Sequence, residues 1–129
     1  MRRLVWAIGA VLVLTNSAGA MNARIARSLR MLAPVDRIEQ LCDYRAMQQI
    51  RHDHRQYHPD RLVAGARERA RIHGHTVVAK GAAFRSHRRW YALSYACTTA
   101  SDDMSVTSFS YKIGSEIPED KWASYDLWQ

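Results

Sequence analysis

The residues best suited to chemistry are histidines. Six occur in 129 residues, four of them in tight pairs: His52-Asp53-His54, with His58 close behind, and His73-Gly74-His75. Imidazoles at this density beside a carboxylate offer a ligand set for zinc, copper or nickel. Residues two apart on a helix point to different sides, however. His52, His54, His73 and His75 therefore form a metal site only if the fold brings the two clusters together; otherwise they are polar loop residues. Nucleophilic catalysis finds less support. The sequence has no Gly-x-Ser-x-Gly elbow and no glycine-rich phosphate loop. The acidic pairs Asp102-Asp103 and Glu119-Asp120 sit where a turn and a helix start account for them. No cofactor is implied, and catalysis is unindicated.

Tyr57-His58-Pro59-Asp60-Arg61 spells the His-Pro-Asp loop of J-domain co-chaperones. There the tripeptide lies between two antiparallel helices of an all-helical domain. Here a signal peptide precedes this region and β-strands follow it further along the chain, so the motif lacks the context that would give it meaning.

Arg85, Arg88, Arg89 and Trp90, followed by Tyr91, interleave charge with aromatic rings, a combination that can stack on and neutralise nucleic acid or glycan. Three arginines on a hairpin also make an ordinary solvated turn. The charge distribution favours binding: residues 21–89 hold 15 basic and 6 acidic side chains, whereas residues 90–129 hold 2 and 6. A basic front of this kind attracts phospholipid headgroups, cell-wall polymers, nucleic acid or an acidic protein. No recognition motif for nucleic acid accompanies it, which makes that partner the least supported.

The elements that must position these residues follow from patterning. Met1-Arg2-Arg3, an apolar run from Leu4 to Leu14 and small residues ending in Ala18-Gly19-Ala20 form the three-part order of a secretory signal peptide over 1–20, cleaved after Ala20. The run is too short for a bilayer span, which needs about 20 residues, and no later stretch approaches that length. A flexible arm over 21–35, with Ile25, Leu29 and Leu32 at helical spacing beside arginines, precedes a single domain over 36–129. Export sets the context for the two cysteines. Cys42 and Cys97 are an even pair in a small exported chain, which favours a disulfide over two buried free thiols; by loop entropy the bridge stabilises the fold by up to about 4 kcal/mol.

Pro34 opens a helix with Asp36 and Glu39 in its early turns. Ile38, Leu41, Cys42, Met47 and Ile50 mark its buried face, and Asp43 is a point where it can divide in two. Asp60 is placed to cap a second helix over Leu62 to Ile72, ended by His73-Gly74. A strand over 76–80, a bulge at Gly81, a turn at 86–88 and a strand over 89–98 come next. Alternation puts Tyr91, Leu93, Tyr95 and Cys97 on the core face, with Trp90, Ala92, Ser94 and Ala96 on the other. A further strand runs from Met104 to Ile113 and stops at Gly114. Pro118 starts a last helix whose Trp122, Tyr125 and Trp128 call for docking. The fold expected is α+β: N-terminal helices, a three- to four-stranded antiparallel meander, a short C-terminal helix and one disulfide.

Several of these pieces, taken in order, resemble a known family. Leu41-Cys42-Asp43 with Ala46-Met47, Pro59-Asp60-Arg61, Ala79 through Ser86, Trp90-Tyr91 with Leu93-Ser94-Tyr95 and Cys97, Phe109-x-Tyr111-x-Ile113-Gly114, and Ile117-Pro118 with Trp122 are similar to domain-of-unknown-function family number 930. The resemblance covers roughly residues 36 to 128. It implies an exported alphaproteobacterial protein and supports pairing of Cys42 with Cys97; it brings no activity.

Three readings of function follow. The first is a periplasmic or secreted non-catalytic interaction module, whose basic N-terminal half meets an anionic envelope component or envelope protein. The second is a metal-binding or enzymatic protein using His52, His54 and His58 with His73 and His75. The third is a structural accessory that packs through its aromatic C-terminal helix.

Overall fold

The computed structural model describes residues 18–129, with side chains from residue 23 onward. The leader expected over 1–20 therefore lies outside the described residues except for its last three. Helix α1 (Ala18–Arg30) precedes α2 (Pro34–Asp53). Of the segment read as an arm over 21–35, residues up to Arg30 belong to α1 and its end rests on α2. Leu29 is buried, and the Arg37 guanidinium donates to the carbonyls of Leu29 (2.9 Å), Arg30 and Leu32. None of the described helices is long and apolar enough to cross a membrane.

Pro34 begins α2 because its missing N–H is an orphan there anyway. The helix runs unbroken past Asp43 and buries one stripe: Ile38, Leu41, Cys42, Ala46 and Ile50. That stripe lies on an antiparallel sheet formed by β1 (Pro59–Val63), β2 (Arg71–His73), β3 (Thr76–Ser86), β4 (Arg89–Thr99) and β5 (Val106–Glu116). The order is β1-β3-β4-β5, with β2 sharing the outer edge of β3.

The helix expected over Leu62 to Ile72 is replaced by β1, a loop and β2. Leu62 pairs with Phe84, Val63 with Ala83 and Ile72 with Val77. The Asp60 carboxylate is bound to Arg85 across the sheet and does not cap a helix. Burying Leu62 and Ile72 against the core outweighs the helix propensity of the Arg67-Glu68-Arg69-Ala70 run, a preference worth only tenths of a kcal/mol per residue. Gly74, at φ 59°, closes the β2–β3 turn.

The bulge expected at Gly81 is present between Ala79 and Ala82. It coincides with a close crossing: a Cβ at Gly81 would collide with the Glu68 backbone nitrogen. His87 and Arg88 form the two-residue β3–β4 turn, both with positive φ, the geometry that matches strand twist in tight hairpins. Strand β5 does not stop at Gly114 but continues to Glu116. Its ladder shifts between Tyr91 and Leu93 of β4, and a Cβ added at Gly114 would stand 3.0 Å from the Ala92 Cβ.

Two apolar clusters hold the layers together. In front, Phe84, Leu93, Tyr95, Cys97 and Val77 pack on α2. Cys42 and Cys97 are disulfide-bonded, with Cα atoms 5.9 Å apart, so the helix is fastened to β4. Behind one end of the sheet, Trp90 and Ala83 meet Ile117, Trp122 and Leu127 of the C-terminal segment, which is a short helix α3 (Glu119–Trp122) and a 3-10 turn (Ala123–Tyr125). The Trp90 indole donates to the Trp128 carbonyl at 2.7 Å, and the Trp122 indole to the Ile117 carbonyl at 2.9 Å. The expected α+β architecture with its disulfide is the one observed.

Candidate functional site

The histidines do not assemble. His52 lies on the last turn of α2 with its ring 3.0 Å from Asp53. His54 sits edge-on to Tyr57 and Tyr111. His58 meets His87 edge-on beyond the far end of the sheet. His73 is exposed on β2, and His75 holds Asp103 at 2.8 Å across neighbouring turns. Among the described residues no group of three His, Cys, Asp or Glu side chains can hold a metal ion. The physical reason is the strand at 71–73: it carries His73 and His75 to the sheet corner near Asp103, while His52 and His54 lie at the C-terminal end of α2.

Two of these contacts are histidine–carboxylate pairs of the kind that orient a catalytic base. In one, Asp103 accepts from the Thr99 hydroxyl at 2.6 Å and from His75. Burial alone would raise the Asp103 carboxyl, but these bonds outweigh it and hold the group below its ordinary range. In the other, the Tyr111 hydroxyl donates to Asp53 at 2.6 Å, and with His52 and Gln49 it lowers that carboxyl to about 2. Neither imidazole makes a hydrogen bond to a serine, threonine or cysteine side chain among the described residues. Asp103 clasps the β2–β3 turn to the β4–β5 turn through His75, and Asp53 clasps α2 to β5 through Tyr111.

The hairpin tip is more promising, but it differs from its sequence reading. A cleft of about 750 Å3 opens beside it, lined in part by Arg85, Arg88, Arg89, Glu116 and Trp122. Arg85 is engaged in a two-point bond to Asp60, at 3.0 and 2.8 Å, which depresses the Asp60 carboxyl. Arg89 faces Glu116 at 3.6 Å. Trp90 is wholly buried under the C-terminal segment, so it is not part of the exposed surface expected of it. Alternation points it away from α2, and the tail covers that face. Arg88, at the tip, makes no ion pair among the described residues. The aromatic tail is likewise spent on the protein's own sheet, with Trp122 buried and Trp128 half-exposed.

A different basic site lies behind the sheet. Arg67, Lys80, Ser94 and Lys112 line a depression of about 280 Å3, together with Ala92, Leu93, Gly114 and Ser115. No carboxylate among the described residues lines it. The Arg67 backbone N–H donates to the Gly81 carbonyl at 2.8 Å, and its Nη2 reaches the carbonyls of Lys80, Ala82 and Leu93 at 3.3–3.5 Å. These carbonyls flank the bulge, where the ladder is interrupted. Alternation reveals Ser94 on the face opposite Cys97, but Arg67 belongs to the segment read as a helix, and the site is invisible without it.

The front layer holds one more unusual group. Asp43 follows Cys42 on α2, and the Tyr95 hydroxyl donates to it at 2.8 Å. Burial, reinforced by Glu39, pushes this carboxyl up to about 7 despite the Tyr95 bond, and burial also raises the Tyr95 phenol.

Comparison with curated proteins and with solved structures gave no match. The family model described as Domain of Unknown Function (DUF930) matches residues 29–127, which is most of the chain, and the protein belongs to that family.

Proposed function

We propose that this protein is an exported, non-catalytic interaction module that meets an anionic partner in the cell envelope through its basic half. One observation carries the reading. Residues 21–89 contain 15 lysines and arginines, and among the described residues carboxylates pair with only two of them, Arg85 and Arg89. Cations left in water keep their field and draw in an opposite charge. The disulfide supports export, because such bonds persist in oxidising compartments.

The test is cosedimentation with vesicles containing anionic lipid, and with zwitterionic vesicles as control. Binding is expected at about 20 mM salt and strongly reduced at about 200 mM, where the screening length falls below 10 Å. Equal binding to both vesicle types, or binding indifferent to salt, would refute an electrostatic module.

A further inference from the structure

On the face of the sheet turned away from α2, three cations and a hydroxyl line one depression. Ser94 pairs with Lys112 across β4 and β5, and Lys80 occupies the bulge on the other side of Ser94. Neighbouring strands lie about 4.8 Å apart, so both lysine side chains can reach a group seated over Ser94. Arg67 enters from the β1–β2 loop. Its Nη2 is anchored on the bulge carbonyls, while its Nε and Nη1 make no hydrogen bond among the described residues. The guanidinium is thus held in place with donors to spare. Gly114 adds no side chain to the rim.

We infer that this depression is an oxyanion site for a phosphate monoester group, bound by Arg67, Lys80 and Lys112 with the Ser94 hydroxyl as a further donor. The inference rests on the proposed anionic-partner reading and gives it a place and a chemistry. A monoester phosphate carries nearly two charges and three terminal oxygens. It can accept a fixed guanidinium edge, two ammonium groups and a hydroxyl together. A carboxylate has two oxygens and one charge, which leaves part of this donor set unanswered. The depression is shallow and open to solvent, so only the phosphate is gripped and the rest of the ligand projects outward. A soluble phosphate ester and a lipid headgroup meet that requirement equally.

The decisive experiment follows backbone amides of the full chain by NMR during titration with inorganic phosphate, against chloride at matched ionic strength. Saturable shifts are expected at Lys80, Ser94 and Lys112. Lys112→Gln should weaken phosphate binding at least about tenfold, the range for loss of one charge-assisted contact, and Arg88→Gln should leave it unchanged. Both positions are exposed, and circular dichroism is to verify that each variant is folded. Vesicles containing phosphatidic acid distinguish the sources. Retention lost in Lys112→Gln supports a headgroup, and a response to soluble phosphate alone supports a free ester. Chloride shifts equal to those with phosphate, or an undiminished response in Lys112→Gln, would overturn the site. If salt-sensitive vesicle binding then persists in Lys112→Gln, the site falls and the interaction module stands; if no anion binds at low salt, both fall.

Discussion

Replacing Asp43 by asparagine should make the protein more stable at neutral and alkaline pH. Asp43 lies beside the disulfide, with its carboxyl raised from the ordinary 3.8 to about 7 by burial. Because the folded value exceeds the unfolded one, the native state holds a proton that the unfolded chain has already released between about pH 4 and pH 7. Stability therefore falls as pH rises through that window and levels off above it. The displacement corresponds to a ceiling of about 4 kcal/mol at 1.36 kcal/mol per pH unit. Partial contact with water brings the expected effect to about 2–4 kcal/mol. Asparagine cannot ionise, yet its carbonyl still accepts from Tyr95. Urea unfolding of both proteins should give nearly equal stabilities at about pH 4 and a gap of about 2–4 kcal/mol in favour of Asp43→Asn at about pH 8. Comparing the two removes the histidines, which titrate in both. Parallel pH profiles would show that Asp43 ionises freely in the native protein and that the burial argument is wrong.

Other perturbations test other joints. Cys42 and Cys97 are 55 residues apart in sequence, so replacing both by alanine should cost about 4 kcal/mol by loop entropy; an unfolding midpoint that does not respond to the double substitution would contradict the bridge. Gly81→Ala places a methyl group on the Glu68 backbone and should cost about 1–3 kcal/mol in chemical denaturation, with the amide shifts of residues 64–70 displaced. Trp90→Phe removes the bond to the Trp128 carbonyl and should destabilise by about 1 kcal/mol beyond the lost ring volume, seen as faster hydrogen exchange across the C-terminal segment.

The parts of the fold legible in the sequence are those that a local pattern fixes. Two-residue alternation over β4 names both faces of the sheet, and the half-cystine tells which one meets α2. The glycine at 81 and the proline at 34 mark a bulge and a helix start because each has a backbone requirement that other residues meet badly. Leu62 to Ile72 was not legible, because its local preference and its tertiary partner disagree. Arg-Glu-Arg-Ala favours a helix in isolation, but β3 offers an unpaired edge and the core has room for Leu62 and Ile72. The same disagreement hid the rear basic site, since Arg67 reaches the sheet only if the chain there is a loop. Trp90 shows a subtler limit. The strand period correctly turned it away from α2, but only the path of the tail, decided almost forty residues later, determines that this second face is covered at that end.

The two sides of the sheet are secured by unlike means. A covalent link ties down the helical layer, whereas apolar packing around the indole rings and a handful of carbonyl contacts hold the C-terminal strap. Thiol reductants and mild heat should therefore loosen this molecule from opposite sides, the first freeing α2 while the strap stays seated and the second peeling the strap while α2 remains tethered.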